Sequence, residues 1–349
     1  MKKVFLVLAV ISLAFTSCSS DDDNDTIIYP ENIYEGDVEL KSPLEIQQFG
    51  ENNYTKITGE LKITDPENEQ HITSLQGLNS LSIIEGDLMI IDNPYLQNLS
   101  GLENITAVDD LYINNNASLN TLIELENLTT SNEDFSIHIN DNENLNSLTG
   151  LENITSVYSL YIINNNSLNT LEGLKNISGD IFMLTISDNE NLNSLMGLEN
   201  VTSVGHQLNI LNNQSLVSFN GLNNLNQVTS FSINNNETLY SLNGLNNLIT
   251  VYEFSIINNS SLDNLIGLNN LTTINENLII RNNSTINSLN GLENLTNSEY
   301  LGVSGNESLS DFCGLQSLDL LGFDYLNYHV SDNAYNPTIE DLENGNCSL

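Results

Sequence analysis

The sequence predicts a mainly β fold: a solenoid of about 11 turns, each of 23–24 residues with one parallel strand, closed by a short helix at either end. Three observations predict it. A Gly-Leu pair returns at nearly constant spacing, a short apolar–polar alternation follows it in each turn, and one asparagine stands at a fixed offset behind that alternation.

At the N-terminus, MKKVFLVLAVISLAFTSC carries Lys2 and Lys3, an apolar run from Val4 to Phe15, and small residues ahead of a cysteine. The run is too short to span a bilayer and reads as a signal peptide over residues 1–17. Its end, Phe15-Thr16-Ser17-Cys18, resembles a bacterial lipobox, which would make Cys18 the lipidated first residue of the mature chain. Residues 18–35 then form a lipidated acidic tether.

Residues 36–60 are expected to be an N-terminal cap, because the end turns of a solenoid expose apolar surface and need lids. In SPLEIQQFG, Ser42 can cap a helix, Pro43 suits its first position, Glu45 completes a capping box and Gly50 can end it. A lid helix over 43–49 would turn Leu44, Ile46 and Phe49 toward the first turn, whose strand is placed at Leu61–Ile63.

The repeats fill residues 61–313. Gly-Leu opens at Gly77, Gly101, Gly150, Gly173, Gly197, Gly221, Gly244, Gly267, Gly291 and Gly314, with Glu124-Leu125 in the same register. Aligning the turns exposes six apolar columns. Two lie on runs such as Leu111-Tyr112-Ile113 and Phe231-Ser232-Ile233, where period-two alternation argues for a strand with one buried face. Three residues past the inner strand residue stand Asn93, Asn116, Asn142, Asn165, Asn189, Asn213, Asn236, Asn259, Asn283 and Asn306. A short arm with one acceptor and two donors can bond the backbone of the adjoining turns, so this column reads as an asparagine ladder. The neighbouring Asn114, Asn115, Asn164 and Asn235 read as solvated or left-handed turn residues.

Residues 314–349 read as the C-terminal cap, with Asn336 capping a helix, Pro337 its first residue and Gly345 its stop. Cys313 and Cys347 bracket it. In an exported chain, this pair, left over once Cys18 is lipidated, is expected to form a disulfide.

The pattern Leu-x-Ile-x-x-Asn-x-x-Leu, the Gly-Leu-x-Asn-Ile/Leu-Thr junction and the turn length resemble receptor L-domain repeats over roughly residues 36–349. That resemblance implies a right-handed, leucine-rich-repeat-like solenoid with one strand per turn. Arrays of this kind occur in insulin-receptor-type ectodomains and in surface lipoproteins of the Bacteroidota type. In that bacterial group the acidic segment after Cys18, SSDDDND, is similar to an outer-face export tag, so the expected location is the cell-surface face of the outer membrane. Fold alone does not name a ligand.

Composition narrows the partners. A net charge of −39, from 46 acidic and 7 basic residues, repels nucleic acid and anionic lipid, leaving membrane contact to the lipid anchor alone. The histidines His71, His138, His206 and His329 fall in different turns, and no nucleophile elbow, Walker loop or His-Glu-x-x-His motif occurs. Glu253 and Arg281 are placed one turn apart on the exposed strand edge, the nearest approach to a catalytic pair. The Asn-x-Thr triplets at Asn104, Asn153, Asn200, Asn270 and Asn294 share one column and read as repeat packing. No enzyme activity, metal or cofactor is expected. The expected function is recognition or adhesion through an extracellular glycan or protein ligand, ahead of a structural spacer and of a polysaccharide-acting enzyme.

A candidate surface can be placed. Met89, Tyr112, His138, Tyr161 and Thr185 occupy one outward column, with Asp87, Asp110, Asn114, Asn140, Ile91 and Ile163 beside it. Aromatic faces bordered by amides and carboxylates suit sugar rings or a partner's loop, which makes Tyr112, His138, Tyr161, Asp110, Asn114 and Asn140 the candidate ligand residues. The competing reading is that like residues stack for sheet stability. No second aromatic patch is expected.

Overall fold

The computed structural model describes residues 32–349; the proposed signal peptide, Cys18 and most of the acidic tether lie outside the described residues. The main sheet is wholly parallel. Its unbroken path runs through β1 (Val38–Leu40), β2 (Leu61–Thr64), β3 (Leu88–Ile91), β4 (Leu111–Asn114), β5 (Ser136–Asn140), β6 (Ser159–Ile163), β7 (Ser178–Ser187), β8 (Asn200–Leu211), β9 (Gln227–Asn234), β10 (Thr250–Ile257), β11 (Asn277–Arg281), β12 (Tyr300–Ser304) and β13 (Tyr328–Ser331). Each strand pairs only with those of the turns before and after it, which gives a solenoid of about 13 turns. The two extra turns lack the Gly-Leu tag. The sheet starts at β1, one turn before the expected Leu61–Ile63, and continues past Gly314 into β13.

Burial follows the alternation. In β4, Leu111 and Ile113 are fully buried while Tyr112 and Asn114 are only partly covered. There are seven buried apolar columns, one more than the sequence alignment picked out. The seventh contains Ile84, Val108, Val157, Ile181, Val204, Val228, Val251 and Ile274. It carries a second, narrower strip of parallel pairing, including a three-stranded sheet of Ile33–Tyr34, Lys56–Ile57 and Ile83–Ile84. Several turns therefore hold two strand segments. In β7 and β8 these fuse into one long strand, with register shifts at Gly179/Asp180, Ile181/Met183 and Val204/Gln207.

The ladder is built as expected and runs one rung further. Each member's side-chain amide donates to a carbonyl of the preceding turn, and its Oδ1 accepts the backbone N–H of the preceding asparagine. Asn213, for example, donates to Ile186 O at 2.9 Å and accepts from Asn189 N at 3.1 Å. The C-terminal rung is Asn333, which accepts from Asn306 N. At the other end Asn93 Oδ1 is buried without a partner, because no earlier asparagine offers it an N–H.

Two further asparagine columns lie outside. Asn115, Asn164, Asn212, Asn235, Asn258 and Asn282 adopt φ between 55° and 59°, as that reading requires, and several link side chain to side chain along the axis. Asn114 differs: it is a strand residue on the outward face. The Asn-x-Thr asparagines donate to carbonyls one turn back, Asn104 to Asn79 O at 2.7 Å and Asn294 to Asn269 O at 2.6 Å, so they pack the repeat. Seven Gly-Leu glycines, such as Gly221 at φ 116°, are left-handed and lie against the carbonyl of the turn before.

Both lids form, with corrections. Helix α1 (Pro43–Gly50) has Ser42 accepting from Glu45 N, but Glu45 returns its bond to Lys41 N rather than closing a capping box on Ser42. Ile46 faces the stack and Phe49 packs against Tyr34 and Tyr54, whereas Leu44 is 60% exposed because so short a helix offers only one side to the turn beneath. Helix α2 (Ile339–Glu343) is capped by Thr338 in a capping box with Asp341. Asn336 is not the cap: its Oδ1 accepts from Asn333, terminating the ladder, so Pro337 precedes the helix. Gly345, at φ 77°, follows the last turn as expected. Cys313 and Cys347 are joined by a disulfide with Cα atoms 4.9 Å apart.

Candidate functional site

Parallel register sets the outward face. Met89 pairs with Tyr112, Tyr112 with His138, His138 with Tyr161 and Tyr161 with Thr185, so the expected column exists. Asn114 and Asn140 are register partners beside it, between Ile91 and Ile163. Asp110 lies at the strand start, where it accepts from Tyr112 Oη at 3.3 Å and from Ser136 N at 2.7 Å.

The rings do not offer their faces. Tyr112 and His138 stack at 4.5 Å and 15°, and His138 and Tyr161 at 4.6 Å and 15°. Because the strands are themselves about 4.8 Å apart, each ring covers the next and the strip presents its edges. Tyr161 Oη donates to Met183 Sδ at 3.1 Å. Burial holds His138 below the usual histidine range, with the Asp110 charge opposing. Burial also pushes the Tyr112 hydroxyl up to about 12, and the nearby Asp110 and Asp87 add to this. Asp87 is raised by burial and by the charge of Asp110. The strip is thus an imidazole held toward its neutral form by burial, stacked between Tyr112 and Tyr161 and beside the Asp87–Asp110 pair. The Oδ1 atoms of Asn114 and Asn140 are covered and accept no bond from any described residue.

A second aromatic strip, not foreseen, lies at the corner between the two strand segments. Tyr158, Phe182 and His206 stack at 4.8 and 5.2 Å, with Tyr158 and Phe182 each 39% exposed. Phe182 and His206 fall inside the register shifts of β7 and β8, yet Tyr158, Phe182 and His206 each stand 15 residues ahead of the next Gly-Leu and so share one column of the repeat. Their spacing of 24 residues each was the available signal.

The Glu253–Arg281 juxtaposition does not form. Glu253 neighbours Ser230 and accepts from its hydroxyl at 3.3 Å, while Arg281 pairs with Ile257 at the opposite end of the strands. Further along the face, a shallow trough of about 260 Å³ is lined by Ser230, Ser232, Glu253, Ser255, Asn277 and Ile279. Among the described residues no group of three or more His, Cys, Asp or Glu could hold a metal ion, and no helix is long and apolar enough to cross a membrane. No family model matches the sequence, and no curated protein matches it significantly.

Proposed function

We propose that this chain is a non-catalytic recognition or adhesion module, related to the receptor L-domain repeats, that binds an extracellular glycan or protein on its exposed sheet face. The observation that carries the reading is the Tyr112–His138–Tyr161 strip beside Asn114 and Asn140, whose covered amide oxygens make no bond. Natural sheets leave few such acceptors unmade, and their position beside an ordered aromatic row marks a surface with hydrogen-bonding capacity to spare. The ligand would meet ring edges and phenol hydroxyls. This favours a polyhydroxylated or peptide surface over one that stacks on ring faces. Attachment to the outer membrane through a lipidated Cys18, with the acidic tether directing it to the cell surface, belongs to the same proposal.

The alternative of a structural spacer has an observation of its own, since rings that cover one another's faces already satisfy their packing. Screening the purified chain on glycan and extracellular-protein arrays separates the two. Any ligand found should bind at least about tenfold more weakly to Tyr112→Ala/Tyr161→Ala and measurably more weakly to Tyr161→Phe, which keeps the stack and removes one edge hydroxyl. A ligand whose affinity is unchanged in both variants would move the site elsewhere.

A further inference from the structure

We propose a separate anion-binding site at the C-terminal end of the same sheet face, built by Arg281, Tyr300 and Gly302, that takes the carboxylate of an acidic sugar. Arg281 is the chain's sole arginine, in a sequence of 46 acidic residues. Such a cation would be expected to find a carboxylate, and Lys41, Lys56 and Lys62 do, at 2.6, 2.6 and 3.3 Å, while Lys175, which forms no ion pair among the described residues, is exposed to solvent. Arg281 is half-buried yet makes no ion pair with any described residue. Its Nη2 donates to Tyr300 Oη at 3.4 Å, a long contact, and its Nε is covered with no partner. An unmade bond on a charged donor is costly, and among the described residues the other buried side-chain atoms without a partner are all oxygens.

The floor is arranged to accommodate this side chain. Gly302 sits in the outward column beside Ile279, and it is buried beneath its neighbours. A Cβ there would stand 2.9 Å from Tyr300 Cε1 and 3.2 Å from Arg281 Nη2. Its φ lies outside the left-handed region, so the position calls for space and not for backbone freedom. Because Tyr300 Oη accepts from Arg281, its own proton remains to be donated. A carboxylate at this point could therefore take a guanidinium N–H and a phenol O–H together, the kind of fork recognition that arginine provides and lysine does not.

Adjacent chemistry selects a sugar. Ser232, Ser255, Ile279 and Gly302 follow one another in the outward column, forming a low path from the guanidinium into the trough edged by Glu253 and Asn277. Hydroxyl and amide groups over a small-residue floor suit pyranose hydroxyls, and the path extends away from the charge as an oligosaccharide would. The nearest row of strand-start acids, Glu276 and Glu299, is three residues, or roughly 10 Å, back along the strands from Gly302, the level at which the guanidinium lies. That exceeds the Debye length of about 8 Å at physiological salt, so these acids do not cancel the guanidinium.

The test uses a galacturonate trisaccharide and its carboxyl-reduced counterpart as probes, with the full chain. The acid form is expected to bind about tenfold or more tightly than the reduced form. As the chain has one arginine, it gives one Arg Nε–Hε resonance, which should shift on titration with the acid form. Arg281→Gln and Arg281→Lys should both lose the preference, and Gly302→Ala should weaken binding while leaving the thermal midpoint unchanged or higher. Tyr112→Ala/Tyr161→Ala should leave it intact, which separates this site from the aromatic strip. Absent binding of the acid trisaccharide, equal affinity for the two probes, a stationary Nε–Hε signal, or preference retained in Arg281→Gln would each overturn the inference. So would an equal response to an acidic peptide, which would assign the site to protein instead of sugar.

Discussion

Replacing Asn189 by alanine tests the ladder most directly. Its Nδ2 donates to Ile162 O and Ser187 O, both at 2.9 Å, and its Oδ1 accepts from Asn165 N at 3.0 Å. Not all of these groups are stranded by the change. Ser187 O still accepts from Asn164 N at 3.0 Å, and Asn213 Oδ1 keeps the backbone N–H of residue 189 at 3.1 Å. Asn165 N–H loses the partner that Asn189 supplies, at a fully buried position, while Ile162 C=O keeps its place in the parallel pairing of β6 with β7. A stranded buried group costs about 1–3 kcal/mol, so the substitution should cost about 1–3 kcal/mol. Asn114→Ala is the control. That side chain is half-exposed and hydrogen-bonds to no described residue, so the change should stay within about 0.5 kcal/mol. Guanidinium unfolding followed by circular dichroism gives both values. Amide exchange should show the Asn165 N–H losing protection ahead of distant turns, because stacked repeats couple mainly to their neighbours. Equal losses for Asn189→Ala and Asn114→Ala would refute the reasoning.

Three further outcomes are expected. Burial holds His138 below its unfolded value of about 6.5, so between that value and its lower folded one the unfolded chain binds more protons and stability falls as pH falls; His138→Phe, which can keep the stack, should show a shallower loss below about pH 6.5 in thermal melts. Reducing Cys313–Cys347, or replacing both by serine, should destabilise the C-terminal lid by about 3–4 kcal/mol on the chain-entropy model, read as early exchange of amides in residues 313–349 while those of β5 to β8 stay protected. Gly221→Ala places a side chain at φ 116° against the carbonyl of Leu195 and should cost at least about 2 kcal/mol in unfolding experiments; a neutral result would mean the turn relaxes freely.

The outward residues show where counting along the chain stops being informative. Glu253 stands 14 residues ahead of the next Gly-Leu and Arg281 only 10, so the two fall in different columns, and pairing puts Ile257, and not Glu253, beside Arg281. Tyr158, Phe182 and His206 share one column at a spacing of 24 residues, but the register shifts in β7 and β8 decide that they stack at the corner between the two strand segments. Asn336 carries a valid cap signal, but Asn333 takes its side chain first. Leu44 has the composition of a core residue and ends exposed, because only one side of α1 meets the first turn.

By itself, the sequence determined the solenoid, its period, the inward strand residues and the asparagine ladder from Asn93 to Asn306. These depend on interactions between equivalent positions of successive turns, so a repeated residue is already evidence of its own neighbour. Tertiary structure alone decided the edge-on presentation of Tyr112, His138 and Tyr161, the corner strip, the seventh apolar column, and the seating of Arg281 over Gly302. Of these, only Arg281 over Gly302 joins residues that are not equivalent in the repeat; the others lie in columns of equivalent residues, and what the period leaves open there is set by bulges, ring rotamers and the space between neighbouring columns. A one-dimensional period specifies which turn lies next to which, but not how side chains of different columns share the surface between them.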